Sequence, residues 1–279
     1  MRFLEYAYQS HGGFGRTITI GRQQLTFPAR EVFGYLGVSA VSPDLPFVDD
    51  LIARAFGASE VASIDASSFE GATYVRDLNK PLEVGFPQFD TVIDGGSLEH
   101  IFDVRASLAN VAAICATGGQ ILHIVPANNF MGHGFYQFSP ELFLSLYTRD
   151  RGFTETSVFL ADLASPRRWW RVRSPDTLES RRATAMSRRE TYLLVRARKT
   201  GAPGTAVIQQ SDYLAAWNDD GGSASPSGLG AIGIAAFRRL PEVARSRLAQ
   251  GRRQFATGLS GRNPALERVR PPGPRRANT

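Results

Sequence analysis

Short runs of β-branched and apolar residues alternate along positions 1–200 with stretches whose apolar residues recur at helical spacing. The runs that predict strands are Thr17–Gly21, Val61–Asp65, Thr73–Asp77, Phe89–Asp94, Gln120–Pro126, Glu155–Leu160 and Thr191–Arg198. The stretches that predict helices are Phe47–Phe56, Ile101–Ala116 and one that begins at Pro140, with Ser139 as its N-cap. Strands that alternate with helices are typical of an α/β fold, with a doubly wound and mostly parallel sheet.

The composition changes along the chain and predicts where this domain ends. Residues 161–190 are polar and rich in arginine, which predicts a loop or a small cap within an α/β domain that spans residues 1–200. Residues 201–237 are rich in Gly, Ser and Pro and predict a linker with one short helix over 211–217. Residues 238–279 form a basic tail rich in Arg and Pro, which we expect to be irregular or disordered.

Charge is distributed unevenly between the domain and the tail. The chain of 279 residues has a net charge of +6, yet the sequence from Arg238 onwards holds eleven arginines and two glutamates. Such a tail can attract nucleic acid, anionic lipid or an acidic partner. It has few aromatic residues between its arginines, and linkers separate it from the predicted sheet, so a solvated end is the favoured interpretation and a nucleic-acid role is disfavoured.

Other features bear on the compartment. The apolar stretch Gly228–Phe237 is far shorter than the roughly 20 residues of a membrane helix, so no membrane span is expected. Cys115 is the single cysteine, which excludes an intrachain disulfide. With no secretory signal pattern at the N-terminus, these features predict a cytoplasmic protein. Nothing in the sequence indicates the oligomeric state.

Polar and small residues follow the predicted parallel strands, and their carboxyl ends should line one crevice. Asp65 is suited to accept hydrogen bonds from ribose hydroxyls, or else to cap a turn or lie in solvent. Asp77, followed by Leu78, has the same two interpretations, with an adenine amino group as its ligand. The residues after Gly21 form no glycine-rich loop, which argues against NAD or FAD.

Three sequence blocks resemble one family when taken in order. They are Phe89–Ile101, Gly118–Pro126, and His133–Phe143 leading to Gly152 and Phe153. Together they are similar to class I S-adenosylmethionine-dependent methyltransferases, over roughly residues 14–200. The resemblance implies a Rossmann-like sheet of seven strands with an antiparallel strand at its edge. It also implies S-adenosylmethionine as the cofactor, held by Gly21, Asp65, Asp77, Leu78, Asp94, Gly95 and Gly96.

One departure from the family pattern concerns its first motif, an acid two residues before a Gly-x-Gly-x-Gly turn. Here Thr19 replaces the acid, Gln23 and Leu25 replace the later glycines, and only Gly21 remains. The alternative function is therefore a catalytically inactive, methyltransferase-like binding module.

An active enzyme would transfer the methyl group to an oxygen or nitrogen of a small-molecule or saccharide acceptor. The candidate catalytic bases are His133, His100 and Glu99, although His100 has packing or capping as an alternative role. The residues expected to bind the acceptor are Asn128, Asn129, Tyr136 and Gln137. His123 and Cys115, in a strand and in a helix, are interpreted as core residues.

Overall fold

The computed structural model describes residues 1–26, 28–37, 46–162, 164–165, 167–174, 178, 183–202, 204, 207–213 and 257–275. Of the predicted linker helix only residues 211–213 are described, and they are helical. The rest of that prediction, and much of the predicted tail, lies outside the described residues.

The described residues contain nine strands in one sheet. They are β1 (Gly15–Ile20), β2 (Ala58–Asp65), β3 (Tyr74–Val75), β4 (Phe89–Asp94), β5 (Cys115–Asn128), β6 (Phe153–Asp162), β7 (Trp169–Val172), β8 (Thr191–Lys199) and β9 (Leu266–Val269). Their order is β3-β2-β1-β4-β5-β8-β6-β7-β9. The five strands from β3 to β5 in this order are parallel, which confirms the predicted α/β class and its mostly parallel core.

The predicted strand count and the place of the reversed strand are wrong. The described sheet has nine strands rather than seven, and the antiparallel β8 lies between β5 and β6 rather than at the edge. The reason lies in its sequence: Leu193 and Val195 are buried in one core and Leu194 in the other, so β8 can be covered on both faces. The segment 161–190 is also more than a loop, because it contributes β7.

The described α-helices are α1 (Arg2–His11), α2 (Ala29–Leu36), α3 (Asp49–Phe56), α4 (Val104–Ile114) and α5 (Pro140–Leu146). Neither α1 nor α2 is predicted by the sequence pattern. The predicted cap of α5 is confirmed, since the hydroxyl of Ser139 accepts from the backbone N–H of Glu141 at 3.3 Å. None of the helices in the described part of the chain is long and apolar enough to cross a membrane.

Two hydrophobic cores cover the two faces of the sheet. Alternation along β4 sends Val92 into one core and Ile93 into the other, and β5 does the same with Ile121 and Leu122. Helices α1, α2 and α3 supply residues to the second core, whereas α4 and α5 supply residues to the first. Both faces of the central strands are thus covered, as a doubly wound sheet requires.

Part of the predicted tail, residues 257–275, is described, and four of these residues form a strand of the sheet that the sequence pattern did not predict. Strand β9 pairs with β7 in antiparallel register, with Trp169 opposite Val269. Beyond it, the side chain of Arg275 donates to Glu5 of α1 and to the carbonyl oxygen of Ala55 of α3. Composition alone does not predict this strand, because the partners that hold it lie far away in sequence.

Candidate functional site

A cavity of about 300 Å³ lies at the carboxyl ends of β1, β2 and β3. It brings together four of the predicted cofactor-binding residues, Gly21, Asp65, Asp77 and Leu78. Parallel pairing places them there, and the backbone N–H of Gly21 donates to the carbonyl oxygen of Ile64 at 2.7 Å. Gly21 has a φ of 71°, a left-handed conformation that glycine adopts without strain.

The two aspartates of this cavity also stabilise their own turns. Asp65 Oδ1 accepts from the backbone N–H of Ser67 at 3.2 Å. Asp77 Oδ1 accepts from the side chain and the backbone N–H of Asn79, at 2.8 and 3.0 Å, which holds the pKa of Asp77 below its usual value. Turn capping and a position on the cavity wall therefore occur together at both residues.

Asp94 does not reach this cavity, although the resemblance implied a cofactor contact. Its side chain is fully buried, and Oδ1 accepts from the backbone N–H of Ser97 at 2.9 Å and those of Gly96 and Leu98 at 3.3 Å each. Its Oδ2 lies 2.9 Å from Nδ1 of His123. The carboxylate is thus used inside the protein, where it fixes the turn after β4.

His123 completes a buried polar chain. Its Nε2 lies 2.7 Å from the hydroxyl of Tyr147, and the imidazole is fully buried. The interpretation of His123 as a core histidine with satisfied hydrogen bonds is confirmed. Cys115 is also buried, which confirms its interpretation as a core residue, although it begins β5 and does not lie in the predicted helix. Burial raises the pKa of its thiol to about 12.

Gln23 and Ser97 join the two glycine turns. The side-chain amide of Gln23 donates to the carbonyl oxygen of Ile20 at 2.7 Å and to the hydroxyl of Ser97 at 3.1 Å. A Cβ at Gly21 would lie 2.6 Å from Oγ of Ser97, and one at Gly95 would lie 2.6 Å from Oε1 of Gln23. Neither residue was among the predicted site residues, although Gln23 was visible as the replacement of a motif glycine.

A second cavity, of about 560 Å³, lies on the face of the sheet covered by α1 and α3. Its walls are mostly apolar and include Leu4, Ile52, Ile93, Ile124 and Leu194. Gln23, Gly95, Thr19 and Tyr192 also line it. The hydroxyl of Thr19 is buried and has no hydrogen-bond partner among the described residues.

The three predicted catalytic residues lie together. Nε2 of His133 is 3.6 Å from Oε1 of Glu99, and the rings of His100 and His133 are 5.0 Å apart. One ligand atom from each residue lies within 4.8 Å of the others, so the group has the composition and spacing of a metal-binding cluster. His100 also lines the first cavity.

Glu99 is the least solvated member of this cluster. Its side chain is 1% exposed, and neither carboxylate oxygen has a hydrogen-bond partner among the described residues. Burial raises the pKa of Glu99 to about 7, and the nearby carboxylate of Asp94 adds to the shift. Burial likewise lowers the pKa of His100, with a smaller contribution from His133.

Three of the four predicted acceptor-binding residues, Asn128, Asn129 and Gln137, line a third cavity of about 660 Å³. The side-chain amide of Asn128 donates to the carbonyl oxygen of Ser187 at 2.9 Å, and Gln137 Oε1 accepts from the backbone N–H of Phe130 at 2.9 Å. The fourth, Tyr136, donates to the carbonyl oxygen of Phe102 at 2.6 Å and does not line this cavity. Their polar groups therefore hold loops together in this structure.

Comparisons with known proteins give structural similarities alone. No protein-family model matches the chain, and no match was found among curated proteins. The N-methyltransferase NodS of Bradyrhizobium japonicum is similar over 72% of this chain and 93% of its own, with 14% identity and a TM-score of 0.39. Its complex with S-adenosyl-L-homocysteine is similar over 72% of this chain and 85% of its own, with 14% identity and a TM-score of 0.38.

A SAM-dependent methyltransferase of Thermotoga maritima is similar over 71% of this chain and 88% of its own, with 15% identity and a TM-score of 0.38. At such identities and TM-scores the similarity concerns the fold, and the functional proposal below rests on the cavities and side chains described above. Both of these proteins are described as methyltransferases.

Proposed function

We propose that the protein is an S-adenosylmethionine-dependent methyltransferase that acts on a small-molecule acceptor. The observation that carries the proposal is that two different cavities lie side by side, separated by one hydrogen-bonded pair of side chains. Ser97 lines the first cavity, Gln23 lines the second, and their side chains are hydrogen-bonded at 3.1 Å. Group transfer needs a donor and an acceptor held side by side, and this arrangement suits that requirement.

The first cavity fits the nucleoside half of the cofactor. Its volume of about 300 Å³ is at the lower end of the range for ligand pockets. Asp65 Oδ1 is used by its own turn, which leaves Oδ2 for a ribose hydroxyl. Asp77 and Leu78, on the same wall, would contact the adenine. The methionine half would extend towards the Gly21 turn and the contact between Gln23 and Ser97.

The second cavity supports an acceptor with an apolar body. Most of its wall is apolar, so a saccharide would leave many hydroxyl groups without partners there. The unpartnered hydroxyl of Thr19 and the side chain of Gln23 offer hydrogen bonds that would orient the reacting oxygen or nitrogen. An apolar alcohol, phenol or amine is therefore the acceptor class that we propose.

The bound cofactor supplies an electrophilic methyl group, and the chain supplies orientation, exclusion of water and a base. Gly95 lines the acceptor cavity, and Glu99 Oε1 lies 3.1 Å from the position of a Cβ on the adjacent Gly96. Tyr192, which also lines this cavity, has its pKa raised by burial and by the carboxylate of Glu99. Glu99 thus lies beside the acceptor cavity, and His133, 3.6 Å from it, can take the proton on to solvent.

Calorimetric titration with S-adenosylmethionine and S-adenosyl-L-homocysteine tests the proposal. Asp65→Ala should weaken binding by roughly 1–3 kcal/mol, or about 5- to 150-fold, because ribose hydroxyls would lose a charged partner. Asp50→Ala is the matched control, since Asp50 is exposed in the first turn of α3 and lines none of the three cavities described above.

Absence of binding by a cooperatively folded protein would refute the proposal. Binding without methyl transfer to a panel of apolar alcohols, phenols and amines would instead support the inactive binding module.

A further inference from the structure

We propose that Glu99, His100 and His133 bind a divalent transition-metal ion. The three residues come from two short segments, the 3₁₀ turn Leu98–His100 after β4 and the loop after β5. One ligand atom of each lies within 4.8 Å of the other two. The ion site itself does not depend on the proposed methyltransferase activity.

The carboxylate of Glu99 provides the strongest argument. Both oxygens are buried and lack a hydrogen-bond partner among the described residues, which costs free energy unless another group neutralises them. The backbone holds the residue in place, because its carbonyl oxygen accepts from the N–H of Phe135 at 2.6 Å and packs against Gly134. The carboxylate therefore cannot easily escape to solvent, and a cation would compensate it.

The two imidazoles lie on the solvent side of this carboxylate. Nε2 of His133 is 3.6 Å from Oε1 of Glu99, and the side chain of His133 is 49% exposed. His100 is also exposed, and its ring lies at 5.0 Å in an edge-to-face arrangement with that of His133. An ion can thus enter from solvent between the two rings.

The distances fit one ion after a small adjustment. Ligand atoms at about 2.1 Å from a shared ion are roughly 3.0–3.4 Å apart, depending on its geometry. The contact between Glu99 and His133 is 3.6 Å, so it needs little change, and the exposed ring of His100 can close the remaining gap. Two imidazoles and one carboxylate favour Mn²⁺, Fe²⁺, Co²⁺ or Zn²⁺ over Mg²⁺ or Ca²⁺ and leave coordination positions open.

The open positions would give the ion a role in the proposed reaction, and this role alone rests on the proposed function. In the metal-bound protein the ion would replace Glu99 and His133 as the group that activates the acceptor, because their ligand atoms would be bound to it. His100 lines the cofactor cavity, and Glu99 lies beside the acceptor cavity. An acceptor hydroxyl bound to the ion would have a lowered pKa and would lose its proton more readily before the methyl group is transferred.

Metal-free, full-length protein titrated with Zn²⁺, Co²⁺, Mn²⁺ and Mg²⁺ tests the site directly. Calorimetry should show one transition-metal ion per chain and weaker binding of Mg²⁺, and bound Co²⁺ should give visible ligand-field bands. Loss of a residue that only supports a metal ligand typically weakens metal binding by roughly 10- to 100-fold. Glu99→Gln and His133→Ala each remove a ligand, so each should weaken binding at least as much. His11→Ala is the matched control, because His11 lies at the end of α1, outside the cluster.

Equal affinity of wild-type protein, Glu99→Gln and His133→Ala would overturn the proposal, as would the absence of binding by the wild-type protein. Circular dichroism and melting of each variant show that it is folded, and the exposed His133 makes its variant the safer of the two. Ion binding by a protein that does not bind S-adenosylmethionine would support the ion site and refute the proposed function.

Discussion

Arg275 connects the C-terminal segment to the N-terminal helices, and its removal should destabilise the whole domain. Its Nε donates to Glu5 Oε2 at 2.7 Å, and Nη1 donates to the carbonyl oxygen of Ala55 at 2.6 Å. The guanidinium also lies 4.5 Å from the centre of the Tyr8 ring. In Arg275→Ala, the buried Glu5 would keep one side-chain partner among the described residues, the amide of Gln9 at 2.8 Å.

The expected loss follows from this burial. Removing one partner of a buried ion pair costs about 3–5 kcal/mol, because the other charge remains buried. The side chain of Arg275 is 22% exposed and that of Glu5 is 3% exposed, and Glu5 keeps its bond to Gln9, so the cost should be smaller, about 2–4 kcal/mol. A dispensable, irregular tail would give no loss.

Urea unfolding followed by circular dichroism measures this loss. Arg268→Ala is the matched control, because Arg268 is an exposed arginine of β9, and its loss should change the free energy of unfolding by less than about 0.5 kcal/mol. A double-mutant cycle with Glu5→Gln should give a coupling energy above roughly 0.5 kcal/mol. Equal stability of wild-type protein and Arg275→Ala, or strict additivity in the cycle, would refute the reasoning.

Two further predictions concern the interior. Tyr147→Phe removes the hydroxyl that lies 2.7 Å from Nε2 of His123 and leaves this buried ring nitrogen without a partner. The free energy of unfolding in urea should therefore fall by about 1–3 kcal/mol. An unchanged midpoint and slope of the unfolding curve would contradict this. Burial raises the pKa of Cys115 to about 12. An aromatic disulfide reagent at mildly alkaline pH should therefore react with the native protein far more slowly than with the unfolded chain. Similar rates would show that the thiol is accessible.

The parallel core of the sheet was predictable because local sequence determines it. Val92 and Ile93 are adjacent apolar residues, and a strand with a core on each face needs such a run. By contrast, β9 has the sequence Leu-Glu-Arg-Val, with two charges in four residues, and no local signal predicts a strand. It forms because β7 offers an unpaired edge, and that edge belongs to the distant segment 169–172.

The site was predictable to the extent that it depends on strand ends. Asp65 ends β2 and Asp77 lies two residues beyond the end of the parallel neighbour β3, so the order of elements is enough to place both at one cavity. The environment of Asp94 depends on register instead, because Asp94 lies opposite His123 in the pairing of β4 with β5. Register between two apolar strands cannot be deduced from their composition, so the sequence could not predict that Asp94 would pair with His123 inside the protein.

This internal partnership explains how the turn after β4 can serve both sides of the site. Asp94 holds the backbone N–H groups of Gly96, Ser97 and Leu98, and His123 holds Asp94. Ser97 then fixes the contact with Gln23 at which the two cavities meet, and Leu98 begins the 3₁₀ turn that carries Glu99. One buried carboxylate therefore determines the geometry of the cavity boundary and of the proposed ion site, although it contacts neither. Asp94 would therefore influence both sites through the turn after β4, and its burial strengthens the hydrogen bonds that hold this turn.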